Sequence, residues 1–455
     1  MRVAIHWFRR DLRLADNAAL TAAAESDRLL PLWIDDPEGE EAGGVGAAGA
    51  LWLDHSLAAL DHRLAQAGSR LVRRSGVAVE RLAELVAEFG VAVVHAQRSH
   101  EPALQARDRE VAQRLAALGV ELRLHDGGLL IDPERLLTGG GRAYRVFTPF
   151  WRAAVQVWRL PDGQPAPALP PLPEGIPRVE PASAVCEAPW QRRVIGHWQP
   201  GEAGALAALE RFAENCADYA GRRDLPGDSE GVSRLSPHLH FGEVAPARVV
   251  HTVVAAAGEA AEPFLRQLGW REFAAYLLHH YPHTVEQPLD GRFAAMPWRD
   301  DGDPLLAAWQ QGRTGFPLVD AGMRQLWQTG WMHNRVRMVA ASLLVKNLRL
   351  PWQLGAAWFR ETLVDFDLAN NTLGWQWVAG CGADAAPYWR IFNPQRQGER
   401  FDPQAVYLNQ WLPAPVVGRH PHAARPDAVV DYAASRAEAL EIWNRLKEAG
   451  DGAQD

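Results

Sequence analysis

The chain has 455 residues, more than one hydrophobic core usually supports, so we expect two domains. Its composition, 47% hydrophobic and 22% charged, is that of an ordinary globular protein, and no run of eighteen apolar residues predicts a membrane-spanning helix. The net charge of −8 argues against a surface coated in positive potential but leaves a local basic groove open.

The N-terminus and the cysteines narrow the class of protein further. The opening sequence MRVAIHWFRRDLRL has no apolar signal-peptide core, so we expect a cytoplasmic protein. Cys186, Cys216 and Cys381 match neither a disulfide framework nor a zinc site. His279 and His283 have zinc-ligand spacing, but Pro282 interrupts the helix between them, and we predict no metal.

Strand and helix patterns alternate over the first 135 residues. Strand-like runs occur at Val3–Phe8, Leu29–Ile34, Val91–His95 and Glu121–Leu124, with helical periodicity at Leu51–Ala67 and Pro102–Leu118. This alternation predicts a Rossmann-like parallel α/β sheet over residues 1–135. No G-x-G-x-x-G follows the first strand, and the glycine-rich stretch Gly39–Gly49 lacks a Walker lysine, so the domain shows no nucleotide signature of its own.

Composition separates this domain from a second one. Residues 136–200 are predicted to be an extended linker, because prolines crowd its second half. Over 201–420 the apolar residues recur at three and four, which predicts an all-α domain. Residues 421–455 are predicted to be an appendage with one polar helix at Ala433–Glu448, and nothing there suggests a long signalling tail. Twelve of the 19 tryptophans fall from Trp270 onward, which indicates aromatic chemistry in the helical domain.

Two segments of the helical domain concentrate short polar side chains. In GVSRLSPHLHFGE, Ser236 is predicted to cap a helix starting at Pro237, whose free N–H groups would suit a phosphate. The other segment, DFDLANNTLGWQWVAG, is rich in residues that favour loops and caps. Its Trp375 and Trp377 are two positions apart and cannot share a helix face, so one can point inward and the other toward a cavity.

Two helix faces combine an amide, a cation and an aromatic or sulfur-containing surface. The trios at positions i, i+3 and i+4 are Gln267, Trp270 and Arg271, and Asn334, Arg337 and Met338. Such faces suit a flat, hydrogen-bonding base. An amphipathic helix with its polar side in water explains either trio alone.

Together these segments resemble the photolyase/cryptochrome family. The matching strings, in order, are HWFRRDLRLADN, SRLSPHLHFGE, LGWREF, GWMHNRVRM, DFDLANN, GWQW and YWRIFNP. The resemblance, strongest to bacterial cyclobutane pyrimidine dimer photolyases near the plant-cryptochrome-like branch, implies an α/β domain linked to an all-α FAD-binding domain. It implies a carbon–carbon lyase in which blue light drives electron transfer from reduced FAD to a flipped-out dimer in DNA. A blue-light photoreceptor is the alternative.

The resemblance assigns FAD contacts to the polar segments. They are Tyr219, Val232, Ser233, Arg234, Leu235, Ser236, Gln267, Arg337, Asp365, Phe366, Asp367 and Asn371. Arg337 is expected to pair with Asp365, and Val232 stands where many members have threonine. Asn371 resembles the residue facing flavin N5, where repair enzymes tend to have asparagine, plant-type receptors aspartate and animal-type receptors cysteine.

Four residues are predicted to be catalytic on the same basis. Besides Asn371 they are Trp375, Trp352 and Trp298, which resemble the three-tryptophan chain that passes an electron from the surface to photoexcited flavin. Any one of these tryptophans alone would also suit an ordinary core.

UV-damaged DNA is the partner that the resemblance implies, with a monomeric enzyme that binds no membrane. Trp270 and Trp377 would flank the flipped bases, Asn334 and Gln267 would hydrogen-bond their edges, and Met338 would pack nearby. The predicted phosphate contacts are Arg223, Arg271 and Arg335.

Gln267 stands where cyclobutane-dimer photolyases commonly carry glutamate, and some (6-4) photolyases also have glutamine there. Asn334 and Met338 replace the paired histidines of (6-4) chemistry, so cyclobutane dimers are the favoured substrate. A nuclease or another non-photochemical DNA-binding flavoprotein is a second alternative, which no carboxylate cluster or phosphate-cradling lysine supports. Family members often bind an antenna chromophore, methenyltetrahydrofolate or a deazaflavin, and the stretch around Glu101 is its expected place; the sequence leaves its presence and identity open.

Overall fold

A five-stranded parallel sheet forms the centre of the N-terminal domain in the computed structural model. The structure describes residues 2–36, 44–176, 184, 186, 188–299, 304–385, 389–413 and 420–451. The strands are β1 (Val3–Trp7), β2 (Arg28–Asp35), β3 (Val72–Ser75), β4 (Val91–Gln97) and β5 (Glu121–His125), in the order β3-β2-β1-β4-β5. The predicted parallel α/β sheet is therefore confirmed. The unpredicted strand β3 has the sequence VRRS, which is too short and polar to show a strand pattern.

Helices cover both faces of this sheet. They are α1 (Ala18–Ala23), α2 (Ala47–Gln66), α3 (Ala78–Phe89) and α4 (Pro102–Ala117). Ala4 of β1 packs in one apolar cluster with Trp52 of α2, whereas Ile5 packs in another with Leu82 of α3. Burial on both sides explains why β1 is a continuous apolar run, as is usual for parallel strands. The strand order reverses between β1 and β4, which opens a crevice at the carboxyl ends of these strands.

After β5 the described residues form helices and loops, which confirms the predicted all-α fold of the second domain. The helices are α5 (Phe147–Ala154), α6 (Pro189–Ile195), α7 (Glu202–Asn215), α8 (Tyr219–Arg222), α9 (Ser236–His240), α10 (Pro246–Ala257), α11 (Glu262–His280), α12 (Pro304–Gln310), α13 (Pro317–Thr329), α14 (Asn334–Ser342), α15 (Trp352–Thr362), α16 (Leu368–Ala379), α17 (Pro394–Phe401), α18 (Val406–Trp411) and α19 (Tyr432–Asp451). Prolines begin several of them, where a missing N–H is harmless, and a left-handed Gly330 ends α13.

The predicted linker is not extended throughout. Helix α5 lies within it and buries Phe150 and Trp151 against α11. Gly269 of α11 makes this packing possible, because a Cβ there would lie 2.4 Å from the Trp151 ring. The segment therefore begins as part of the helical core, and helix α6 forms near its end. Residues 177–183, 185 and 187 of the linker, and 39–43 of the glycine-rich stretch, lie outside the described residues.

A buried carboxylate joins the two domains. Glu243 is fully buried and accepts hydrogen bonds from Trp52 Nε1 at 3.0 Å and Gly201 N at 2.8 Å. The Ser56 hydroxyl and the His238 ring also contact it. Beside it, Gly242 has φ +66° and a Cβ there would lie 2.0 Å from the Arg10 carbonyl, so the HFGE string forms a close interdomain contact.

The prediction that residues 421–455 form a terminal appendage is wrong, because α19 packs into the core of the helical domain. Ala439 and Ile442 are 0% and 3% exposed within the cluster that also contains Trp352 and Trp375. Trp443 stacks on Trp389 with ring centroids 5.6 Å apart. Nine of the twenty residues of α19 are polar or charged and five are alanine, so its few large apolar residues did not stand out in the sequence.

Replacement of Ile442 by alanine tests this packing. We expect Ile442→Ala to lower the free energy of unfolding by about 2–4 kcal/mol, because it leaves a cavity in the core. The neighbouring Glu441 is exposed, so Glu441→Ala should change it by less than about 0.5 kcal/mol. Urea unfolding followed by tryptophan fluorescence measures both, and equal effects of the two substitutions would show that α19 is not part of the core.

Candidate functional site

Asp365 receives two donors from distant parts of the helical domain. The Ser236 hydroxyl donates to its Oδ2 at 2.6 Å, and Arg337 Nη2 contacts its two carboxylate oxygens at 2.9 and 3.1 Å. Ser236 was predicted to be a helix cap, and this is wrong: it is the first residue of α9, whose N-cap is Leu235 without a side-chain cap bond. A hydrogen bond to a charged carboxylate is stronger than one to a neutral N–H, which accounts for the difference.

Asp367 links α9 to α16. Its Oδ1 accepts from Asn370 N at 2.9 Å and so caps α16, while its Oδ2 lies 3.2 Å from His240 Nδ1. Burial alone would raise the pKa of Asp367, but His240 and Arg10 hold that pKa well below its ordinary value, so the carboxylate is charged. Burial and Arg10 lower the pKa of His240 despite this carboxylate.

Helix α16 presents the predicted catalytic asparagine and two tryptophans. Asn371 is half-buried, and its Nδ2 donates to the Ala356 carbonyl at 3.2 Å. Trp375 is 2% exposed, whereas Trp377 is half-buried and lies 6.4 Å from Phe392 between ring centroids. The two-residue spacing of the tryptophans accounts for this difference in environment.

The three tryptophans of the predicted electron chain share one apolar cluster. Trp375 and Trp352 are each 2% exposed, and the half-buried Trp298 packs against the same cluster. The ring of Trp309, which sequence reasoning missed, lies 6.1 Å from that of Trp375. Trp309 lies in the apolar helix α12, so no sequence motif indicated that it packs beside Trp375.

The residues predicted to face a base lie on α11 and α14, which both contact α16. Trp270 stacks on Phe147, with centroids 3.8 Å apart and planes 7° from parallel. The Gln267 amide donates to the Pro263 carbonyl at 3.2 Å. Asn334 is exposed, and its Nδ2 lies 3.7 Å from Met338 Sδ.

The three predicted phosphate contacts all pair with carboxylates of the chain. Arg335 Nη2 lies 2.7 Å from Asp224 Oδ1, and Arg223 Nε lies 3.9 Å from the same oxygen. Arg271 contacts Glu272 at 3.0 Å and donates to the Gly128 carbonyl at 2.9 Å, which places it at the domain boundary.

Arg234 is a half-buried cation that lies between two aromatic rings. Its guanidinium carbon lies 4.6 Å from the centroid of Trp198 and 5.1 Å from that of Trp331, and its Nε is buried without a hydrogen-bond partner. Its φ of +53° is a strained conformation for a side-chain-bearing residue. Burial lowers the pKa of Arg234, and no carboxylate among the described residues counteracts this.

The other predicted FAD contacts have varied surroundings. Tyr219, Leu235 and Phe366 are buried, and burial raises the pKa of Tyr219 to about 12. Val232 and Ser233 are half-buried on the loop before α9, where Ser233 Oγ accepts from Leu235 N at 3.4 Å.

A cavity of about 90 Å³ lies in the crevice between the domains. Arg10 and Glu101 of the N-terminal domain contact each other in its wall, and His240 and Asp367 line the opposite side. This is the stretch where an antenna chromophore was predicted. The cavity is smaller than usual for a ligand of that size, so a chromophore there requires the lining side chains to move.

Comparisons with known proteins agree with this geometry. The sequence model described as DNA photolyase matches residues 4–173, and that described as FAD binding domain of DNA photolyase matches residues 264–444. The chain is 44% identical to the deoxyribodipyrimidine photo-lyase of Agrobacterium fabrum, over 90% of this chain and 86% of that protein. It is 36% identical to cryptochrome-1 of Arabidopsis thaliana, over 90% of this chain and 62% of the cryptochrome.

The comparison with solved structures also finds a photolyase. The bacterial class III photolyase from Agrobacterium tumefaciens has a TM-score of 0.89 and 39% identity, and the match covers 98% of each chain. This chain belongs to the DNA photolyase family. The predicted family, two-domain fold and FAD cofactor are thereby confirmed.

The described residues fit an FAD. Arg234 offers a half-buried cation that pairs with no carboxylate among the described residues, as the flavin pyrophosphate would require. Asp365 and Asp367 are carboxylates held in place by Arg337 and His240, and Trp375 Nε1 is buried without a partner. Among the described ranges, no helix is long and apolar enough to cross a membrane and no group of His, Cys, Asp or Glu suits a metal ion.

Loss of the Asp365 charge should weaken FAD binding. Asp365→Asn leaves Arg337 without its charged partner, and hydrogen bonds to charged groups contribute about 1.5–3 kcal/mol, so we expect about a tenfold or greater rise in the FAD dissociation constant. Flavin fluorescence titration of the apoprotein measures it. Glu121→Gln removes an exposed carboxylate paired with Arg123 and should leave affinity unchanged; similar affinities for all three proteins would remove Asp365 from the site.

Glu272 fastens α11 to the segment that follows β5. This fully buried carboxylate accepts from Leu130 N at 2.7 Å and Ile131 N at 3.2 Å, besides contacting Arg271. Burial raises the pKa of Glu272 to about 7, although Arg271 and the two N–H groups oppose it. The same helix carries Gln267 and Trp270, so this contact positions the face predicted to meet a base.

The raised pKa of Glu272 makes its contribution to the free energy of unfolding fall as the pH rises. Because the folded state holds this proton more tightly, the stabilisation is present below the ordinary carboxyl pKa and is lost as the pH rises through about 7. Glu272→Gln removes the effect, so its stability relative to the natural protein should improve between about pH 5 and about pH 8, by at most about 3 kcal/mol. Urea unfolding at each pH measures this; parallel curves, or the same trend for the exposed Glu110→Gln, would contradict it.

Proposed function

We propose that this protein is a light-driven lyase that splits cyclobutane pyrimidine dimers in DNA. The observation that carries the proposal is the position of α16, which bears Asn371, Trp375 and Trp377 and contacts both α11 and α14. Those helices bear the amides of Gln267 and Asn334. The relative from Agrobacterium fabrum, named a deoxyribodipyrimidine photo-lyase, supports the same reaction.

The chain's own residues would hold a flipped-out dimer. Extrusion of a base pair costs a few kcal/mol, and least for a damaged pair, so the lesion is selected in part by its weak stacking. Trp270 and Trp377 would pack against the extruded bases, while Asn334 and Gln267 would hydrogen-bond their edges. Rotation of the Gln267 amide away from the Pro263 carbonyl would free its donor for this contact.

FAD, when bound, supplies the light absorption and the electron transfer. Asp365, with Arg337 and Ser236, would hold the cofactor in place, and Asn371 would offer a neutral amide beside its ring. Trp375, Trp352 and Trp298 run from buried to half-buried positions of one core, which suits a chain of oxidisable side chains between the site and the surface.

The first experiment is anaerobic repair of a thymine cyclobutane dimer oligonucleotide by the photoreduced protein under blue light, with a dark control and a (6-4) substrate alongside. We expect light-dependent repair of the cyclobutane dimer alone. No repair of either lesion by a protein that binds and photoreduces FAD would overturn the proposal and favour a photoreceptor, as in the similar cryptochrome-1.

A variant pair connects the activity to the site. Asn334→Ala should reduce repair at limiting substrate about tenfold, because one hydrogen bond to the lesion is lost, without loss of FAD. Asn409, an exposed asparagine of α18, provides the control Asn409→Ala, which should repair normally. Equal repair by both variants would remove Asn334 from the lesion contacts.

A further inference from the structure

Asp224 lies between two of the arginines that we predict to contact DNA. Its Oδ1 is 2.7 Å from Arg335 Nη2 and 3.9 Å from Arg223 Nε. The Asp224 side chain is 35% exposed, so a ligand can approach from solvent and compete for the same guanidinium groups. One carboxylate thus offsets the charge of both cations in the protein without DNA.

The two arginines have other supports that do not depend on this carboxylate. The guanidinium of Arg335 lies 4.3 Å from the centroid of the Phe401 ring, and that of Arg223 lies 5.8 Å from the Tyr219 ring. Cation–π contacts of this kind hold a guanidinium in a plane while leaving its N–H groups free for an anion. Asp224 is therefore not required to orient them.

The third predicted phosphate contact differs. Arg271 pairs with Glu272, which is fully buried and also accepts hydrogen bonds from two backbone N–H groups. A phosphate could not replace that carboxylate without breaking the contact between α11 and the segment after β5. Two carboxylates pair with the three arginines, and of these only Asp224 can be replaced by a phosphate without the loss of other contacts.

We propose that Asp224 is a built-in competitor for the DNA backbone, which weakens phosphate binding by Arg335 and Arg223 and so speeds release of the repaired strand. The inference rests on the proposed function for its DNA partner. Phosphate contacts carry no sequence or damage information, so the carboxylate weakens binding of damaged and undamaged duplex by the same factor. The damage preference then stays with the base contacts, while the repaired product dissociates faster.

Asp224→Asn tests this proposal. We expect the variant to bind undamaged and dimer-containing duplex about fivefold more tightly, because a unit charge within contact distance contributes a factor of this order near water. The slope of log affinity against log salt should become more negative by about one, since the arginines then neutralise phosphate without a competing carboxylate. Repair of bound dimer in a single turnover should be unchanged, and steady-state turnover should fall.

Three control variants separate this role from a structural one. Asp224→Glu keeps the charge and should behave as the natural protein. Glu84→Gln removes an exposed carboxylate, paired with Arg81 on α3 of the other domain, and tests the change in net charge alone. Arg335→Gln should weaken binding and flatten the salt slope, and Asp224→Asn added to it should have less effect than alone.

The outcomes are distinguishable from failure of the proposed function. Binding to undamaged duplex is measured without light or repair, so the Asp224 proposal is testable even if the repair experiment fails. Unchanged or weaker binding by Asp224→Asn, or an equal gain in Glu84→Gln, would overturn it. Tighter binding with a steeper salt slope confined to Asp224→Asn would support it.

Discussion

The buried carboxylate of Glu243 ties the two domains together, and the geometry of the site depends on it. It binds His238 in the middle of the five-residue helix α9, whose two ends carry Ser236 and His240. Ser236 donates to Asp365, and His240 contacts Asp367. A displacement at Glu243 would therefore reach both carboxylates. Because a buried charge without its partners is strongly destabilising, the arrangement has little freedom to relax.

Helix α16 is held by side-chain hydrogen bonds at both ends. Asp367, an anion, caps its first turn, and Lys346 donates to the Ala379 carbonyl at its last turn from a fully buried position 3.5 Å from the Trp389 ring centroid. Anions at the start and hydrogen-bond donors at the end of a helix satisfy its free backbone groups. Burial holds the pKa of Lys346 well below its ordinary value, which reduces the cost of placing the amine there. Asn371, Trp375 and Trp377 project from a helix that cannot easily shift.

Patterns of hydrophobicity predicted the sheet and the helical domain, because each depends on neighbours close in sequence, whereas the roles of the site residues came from the resemblance to the family. The wrong predictions share a cause, which is dependence on partners that are distant in sequence. The use of Ser236 was missed because its partner Asp365 is 129 residues away and outcompetes a local cap. The sequence predicts an appendage where α19 lies, because the burial of Ile442 depends on surfaces made by other helices. Likewise, the family resemblance paired Asp365 with Arg337, but nothing in the sequence showed that Asp224 would pair with Arg335.

The closure of the core by α19 sets an order of events during synthesis. Trp352 and Trp375 belong to a cluster whose last buried members, Ala439 and Ile442, are translated about 64 to 90 residues later. The N-terminal sheet is complete in sequence by β5 and can form early, as N-terminal domains often do. The helical domain cannot complete its core until α19 has been synthesised, so its tryptophan-rich surfaces stay exposed to aggregation, and within reach of chaperones, until that point.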